Sequence, residues 1–229
     1  MKAFVLFVFV VAVAGCSEPD QEKKQKPVED PVYFDYQVSG DEERDFVTVL
    51  LQFRKGGATG RPLLLQPPAR VELDGEVLQA DSALRTGAFY EVHYDAESFR
   101  GTHTIRFTSA NGKQYEEPFA FSPLQLKQPI TGKVKGGNFS VWLEGVETGA
   151  RVRYVLADTS FETSDVNDVQ EMSSDGRIVF SEAELAKVKP GPVTLLLTLE
   201  EERPVTNGTR AGGRIYISHS LRRDFELVK

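Results

Sequence analysis

From Val32 onward, apolar and polar residues alternate in short runs of period two, the pattern of strands buried on one face, and no long run keeps a helical period. Phe46 to Phe53 sets Val47, Val49, Leu51 and Phe53 on one face and Phe46, Thr48, Leu50 and Gln52 on the other, which predicts a central strand. Tyr90, Val92 and Tyr94 likewise oppose Glu91 and His93, and His103, Ile105 and Phe107 oppose Thr104 and Arg106. Turn chemistry separates these runs. Leu73-Asp74-Gly75-Glu76 predicts an Asp-Gly hairpin. Ala110-Asn111-Gly112-Lys113 predicts a type I′ turn, whose two central residues both need positive φ.

The second half repeats the pattern after a joint at Gln128-Pro129. Runs open at Ile130 to Val134 and Asn138 to Leu143, then Arg151 to Leu156 turns Val152, Tyr154 and Leu156 to one side. Ser181 to Ala186 predicts one capped helical turn, with Ser181 at the cap and Glu184 three residues on. Val193 to Glu200 is the most apolar strand, and Gly213 to Ser218 and Asp224 to Val228 are expected to complete the sheet. One motif recurs: Phe99-Arg100-Gly101 feeds His103 to Thr108 as Val188-Lys189-Pro190-Gly191 feeds Val193 to Thr198. Both resemble the late strand of an immunoglobulin-like domain entered through a glycine corner, although the first half lacks that family's Cys pair and core Trp. The expected fold is all-β: two tandem immunoglobulin-like β-sandwiches, 32–125 and 126–229, behind a lipidated flexible tether.

The start of the chain differs from all of this. Met1-Lys2 is positive, and Ala3 to Ala14 is apolar but short of the ~20 residues that span a bilayer core as a helix. Residues 1–15 therefore read as a signal peptide. Val13-Ala14-Gly15-Cys16 resembles the lipobox of bacterial lipoproteins, a likeness confined to the first sixteen residues or so. It implies lipidation of Cys16 with acyl chains of the palmitate kind, a membrane anchor, and a place in the bacterial cell envelope. Ser17, where Asp favours inner-membrane retention, implies the outer membrane. Cys16 is also the only cysteine, and lipidation accounts for a thiol that would otherwise stand unpaired in an oxidising compartment. The remainder of 16–31, SEPDQEKKQKPVEDP after the cysteine, is too polar to fold alone and reads as a disordered tether.

Charge and chemistry narrow the function by exclusion. A net charge of -7 argues against a nucleic-acid partner. Lys55 to Gly60 is glycine-rich but leads into Arg61-Pro62, without the Gly-Lys-Ser/Thr and helix of a phosphate loop. Glu91, His93 and Asp95 share a strand face, yet alternate residues about 7 Å apart cannot all reach one ion. The acidic stretch Asp158 to Asp168 has the composition of a calcium loop without EF-hand spacing. No Gly-x-Ser-x-Gly elbow occurs, and no carboxylate pair stands out. No catalytic residue, metal or cofactor is expected, and the chain reads as a non-enzyme. Trp142, on a polar face with Ser140 and Glu144, is the candidate for a ligand platform or an interdomain contact. The expected function is that of a membrane-anchored envelope lipoprotein, a binding or structural module using loops or edges toward an envelope protein or glycan. A glycan-binding lipoprotein and a cell-envelope hydrolase are the alternatives.

Overall fold

The structure, a computed structural model, describes residues 31–83, 87–130, 132–158 and 166–228. The expected signal peptide, Cys16 and nearly all of the expected tether lie outside the described residues.

In the first half the alternating runs become β1 (Val32–Asp41), β2 (Phe46–Lys55), β3 (Arg70–Leu73) and β4 (Glu76–Val77). They continue as β5 (Asp81–Ala83), β6 (Gly87–Asp95), β7 (Gly101–Thr108) and β8 (Gln114–Phe121). Strands β1, β2, β6 and β5 lie side by side, and β4, β3, β7 and β8 form a second sheet. Lettered in chain order with β4 as C′, this is ABED against C′CFG, the immunoglobulin arrangement. Val47, Val49, Leu51 and Phe53 are all fully buried. The Phe53 ring meets Phe34, Tyr36, Tyr90 and Phe107 at centroid distances of 5.0 to 6.0 Å.

The two predicted hairpins close differently. Asp74 (φ 51°) and Gly75 (φ 88°) are both left-handed, as a type I′ turn requires. At the second hairpin only Gly112 is left-handed, with φ 82°. Ser109 N–H donates to the Lys113 carbonyl and Gly112 N–H to the Ser109 carbonyl, each at 2.9 Å, giving a three-residue loop that ends in a glycine bulge. Asn111 is occupied as an acceptor, taking the Ser109 hydroxyl at 2.6 Å and Lys113 N–H at 3.1 Å. Those bonds hold it out of the left-handed state that the dipeptide predicts.

The second half forms β9 (Gln125–Leu126), β10 (Lys133–Lys135), β11 (Phe139–Glu144), β12 (Arg151–Asp158) and β13 (Val166–Glu171). Then come β14 (Arg177–Phe180), α1 (Glu182–Leu185), β15 (Gly191–Pro204) and β16 (Gly213–Val228). Strands β9, β11 and β14 form one sheet; β13, β12, β15 and β16 form the other, with β10 on β16. This is again an immunoglobulin-like order, with the first strand split between the two sheets. The helical turn carries the predicted capping box, and its Glu184 also accepts the Tyr154 hydroxyl at 2.5 Å, tying α1 to β12. The recurring glycine corner is real: Gly101 (φ 119°) and Gly191 (φ 131°) open the equivalent strands β7 and β15.

The last strand departs from expectation. Instead of two pieces, β16 runs unbroken for 16 residues. The two expected pieces leave residues 219–223 between them, but the period of two runs on through these, with Ile215, Ile217, His219 and Leu221 all buried on one side. The second half of β16 belongs to the second sandwich. Its first half lies parallel to β1, in register from Phe34↔Gly213 to Asp41↔Ser220, while β15 follows antiparallel to Pro204. One nine-stranded sheet thus passes through both sandwiches. Ile215 and Ile217 pack in the core of the first sandwich, and Leu221, Phe225 and Leu227 in that of the second. Residues 213–218, which the sequence groups with 126–229, therefore serve the first core, and Leu124 serves the second.

Candidate functional site: the junction of the two sandwiches

Strand β8 alternates Tyr115, Glu117, Phe119 and Phe121 toward the core, so a carboxylate enters an apolar interior, where it must be paired. Glu117 is 2% exposed. Its Oε1 accepts from Arg203 Nη1, and its Oε2 from Thr206 N–H at 2.5 Å and the Thr206 hydroxyl at 2.8 Å. Arg203 Nη2 also donates to the Pro118 carbonyl at 3.0 Å. Burial, and after it the charge of Glu117, pushes the Tyr36 hydroxyl well above its ordinary value. On the outer face of the sheet Asp35 takes Arg214 Nε at 2.9 Å, with Arg54 Nε at 3.5 Å. The tip of the β15–β16 hairpin is therefore held to the first sandwich from both sides.

Further along β16, His219 is 3% exposed and its Nδ1 accepts the Leu124 N–H at 3.0 Å, which puts the single ring proton on Nε2. A Cβ on Gly40 would stand 2.7 Å from both His219 Cδ2 and Phe121 Cζ, so only glycine lets β1 pass this close. Burial pulls His219 below its ordinary value of 6.5, against opposing pulls from Glu42 and Asp41 and with a smaller push from Arg100. Protonation would also destroy the acceptor that Leu124 uses. As pH falls below ~6.5, the unfolded chain takes up this proton first, so stability is full above that value and declines through the window beneath it. Urea midpoints at pH 7.5 and 5.5 should show the loss, and His219→Gln should flatten that pH dependence.

A cleft of about 510 Å³ opens beside this ring. Its walls are Ala120 to Ser122 at the end of β8, the β11–β12 loop from Gly145 to Arg151, Leu199 to Glu202, and Ile217 to His219. Phe121, Leu199 and Ile217 make it partly apolar, and Ser122, Thr148 and Ser218 add hydroxyls. Three of its carboxylates are already paired: Glu200 with Arg153 at 3.1 Å, Glu201 with Arg203 at 3.0 Å and Glu202 with Arg214 at 3.3 Å. Among the described residues Glu147 and Arg151 have no ion-pair partner. The arrangement suits binding, because pockets between domains gather apolar walls and a few polar anchors.

The residues singled out from sequence are scattered away from this cleft. His93 Nε2 lies 3.1 Å from Glu91 Oε1 and its Nδ1 lies 3.0 Å from Thr48 Oγ1, while Asp95 accepts Ser98 N–H at 2.9 Å. No cluster of three His, Cys, Asp or Glu suited to a metal occurs among the described residues. His103 stacks on Phe99 at 3.8 Å, with Nδ1 2.7 Å from Asp74 Oδ2 and Nε2 3.0 Å from the Phe99 carbonyl. A hydrolytic His-Asp set needs that second nitrogen on a hydroxyl. Residues 159–165 of the acidic loop lie outside the described residues. Trp142 is 38% exposed on the outer face of β11, with Arg177 over its ring. Sequence reasoning missed Glu117 and His219, although each interrupts an apolar alternation, and that interruption is the signal of a buried, partnered polar group.

No protein-family model matches the sequence, and no curated protein matches it. Among solved structures the chain is similar to DIP-gamma IG1+IG2, with 9% identity, TM-score 0.25, and coverage of 86% of this chain and 97% of that one. The central fibronectin-III array of RIM-binding protein overlaps with 9% identity, TM-score 0.27, and coverage of 87% and 69%. The adhesin InvE of Yersinia pseudotuberculosis overlaps with 11% identity, TM-score 0.24, and coverage of 88% and 61%. Strand order, not these overlaps, carries the fold assignment.

Proposed function

We propose that the protein is a lipid-anchored binding module of the bacterial cell envelope, held at the outer membrane through Cys16, and that the cleft between its sandwiches receives an envelope partner. The cleft carries this reading: one continuous sheet and two charge clamps fix the wall that the β15–β16 hairpin forms, and Glu147 and Arg151 in the facing loop have no ion-pair partner among the described residues. A wall so fixed loses little entropy when a partner binds. The lipobox supports the anchor, since two or three acyl chains make attachment effectively permanent where one is marginal. The hydrolase alternative loses support from His103, whose second nitrogen is spent on a backbone carbonyl.

Two measurements test the two halves of the proposal. Cys16→Ser should move the protein from the membrane fraction to the soluble one and abolish incorporation of labelled palmitate; a variant that stays on the membrane, with no label in the parent, overturns the anchor. A photo-crosslinker at Thr148 should give a discrete adduct in intact cells that a crosslinker at Glu97 does not. Identical products from both positions would remove the cleft from the account.

A further inference from the structure

Strand β11 turns Ser140, Trp142 and Glu144 outward, and β14 brings Val179 and Arg177 directly beside them, paired as Ser140↔Val179 and Trp142↔Arg177. Trp142 and Val179 are two of the few large apolar side chains left exposed among the described residues, at 38% and 40%. The Arg177 guanidinium lies 5.4 Å from the indole centroid, and its Nε and Nη2 donate to Ser140 Oγ at 3.1 and 2.9 Å. Its remaining N–H groups have no hydrogen-bond partner among the described residues. Lys127 is fixed at the side, its backbone N–H on the Trp142 carbonyl at 2.8 Å and its ammonium on the Asp175 carbonyl at 2.9 Å.

We infer that this face binds a saccharide, with a pyranose ring laid on the part of the Trp142 indole that the Arg177 guanidinium leaves exposed and its hydroxyls bonded by Arg177 and Glu144. A pyranose presents a patch of C–H groups on one face and hydroxyls around its rim. Its complement is an exposed aromatic plane flanked by planar donors and acceptors, which indole, guanidinium and carboxylate supply. The Arg177 bonds to Ser140 fix the guanidinium before any ligand arrives, so little rotamer freedom is lost on binding. Charge does not drive recognition, because Lys127 and Arg177 are balanced by Glu144 and Asp175 on the same side. The patch of one Trp and one Val is also too small for the core of a stable protein interface, which buries ~1,200 Å² or more. The inference adds a ligand class to the binding-module reading and rests on it for setting, but it uses a surface separate from the cleft.

Trp142 is the only tryptophan in the chain, so intrinsic fluorescence reports this site alone. Titrating the full chain with cellohexaose and chitohexaose should give saturable quenching with a blue shift for at least one of them, unchanged when NaCl is raised to about 0.5 M, where exposed charges are screened. By calorimetry Trp142→Ala should abolish that binding, Trp142→Phe should retain it within about tenfold, and Arg177→Ala should weaken it roughly tenfold. Three outcomes overturn the inference: no saturable change with either neutral probe, equal binding by Trp142→Ala, or binding of heparin alone that salt abolishes. Any of them leaves the Thr148 crosslinking test of the cleft intact.

Discussion

Replacing Glu117 with Ala is expected to lower the stability of the protein by about 3–5 kcal/mol, the cost of breaking a buried charge pair from one side. The substitution takes away the buried partner of Arg203, leaving it Glu201 and the Pro118 carbonyl, and strips Thr206 N–H and hydroxyl of their acceptor, while also opening a cavity beside Tyr36. Arg203→Ala should cost at least as much, because it leaves the buried Glu117 carboxylate without its cation and held by Thr206 alone. A double-mutant cycle in urea isolates the coupling, expected above ~1 kcal/mol for neighbours sharing one network. A Glu117→Ala variant within about 1 kcal/mol of the parent would mean that the clamp is not formed in solution.

Separating the halves should have a larger effect still. A fragment ending at residue 125 keeps all eight strands of the first sandwich but loses the strand that covers β1, the buried Ile215 and Ile217, and both partners of Glu117. It should be unfolded or associate through the bare β1 edge, since an exposed strand edge templates pairing with other chains. The full chain, by contrast, should unfold in one transition, because β16 contributes to both cores. Circular dichroism and size-exclusion chromatography of the fragment decide the matter; a well-folded monomer with its own sharp melt would show the sandwiches to be independent.

Much of the fold was legible because period two is a local property. Phe46 to Phe53, Arg151 to Leu156 and the glycine corners at Gly101 and Gly191 each announce a strand and its buried face within a few residues. What alternation does not encode is the partner. Ile215 and Ile217 advertise a buried face, yet nothing in them says that it belongs to a sandwich begun some 180 residues earlier. The cleft was illegible for the same reason, since its walls come from segments near 120, 147, 200 and 218 that only the folded chain assembles. Glu117 was the clearest missed hint: in Tyr115-x-Glu117-x-Phe119-x-Phe121 the simplest inference is a buried carboxylate with a cation waiting for it.

The parallel pairing of β1 with β16 also sets an order of events. The chain leaves the ribosome amino end first, and the first sandwich is nearly complete in sequence long before residue 213 exists. Its β1 edge, with Phe34, Tyr36 and Val38 behind it, must wait for the final strand. Such long-range closure is slow and leaves an edge open meanwhile. The first sandwich is thus sealed only by β16, and a nascent chain that stops between the two carries an open sheet edge.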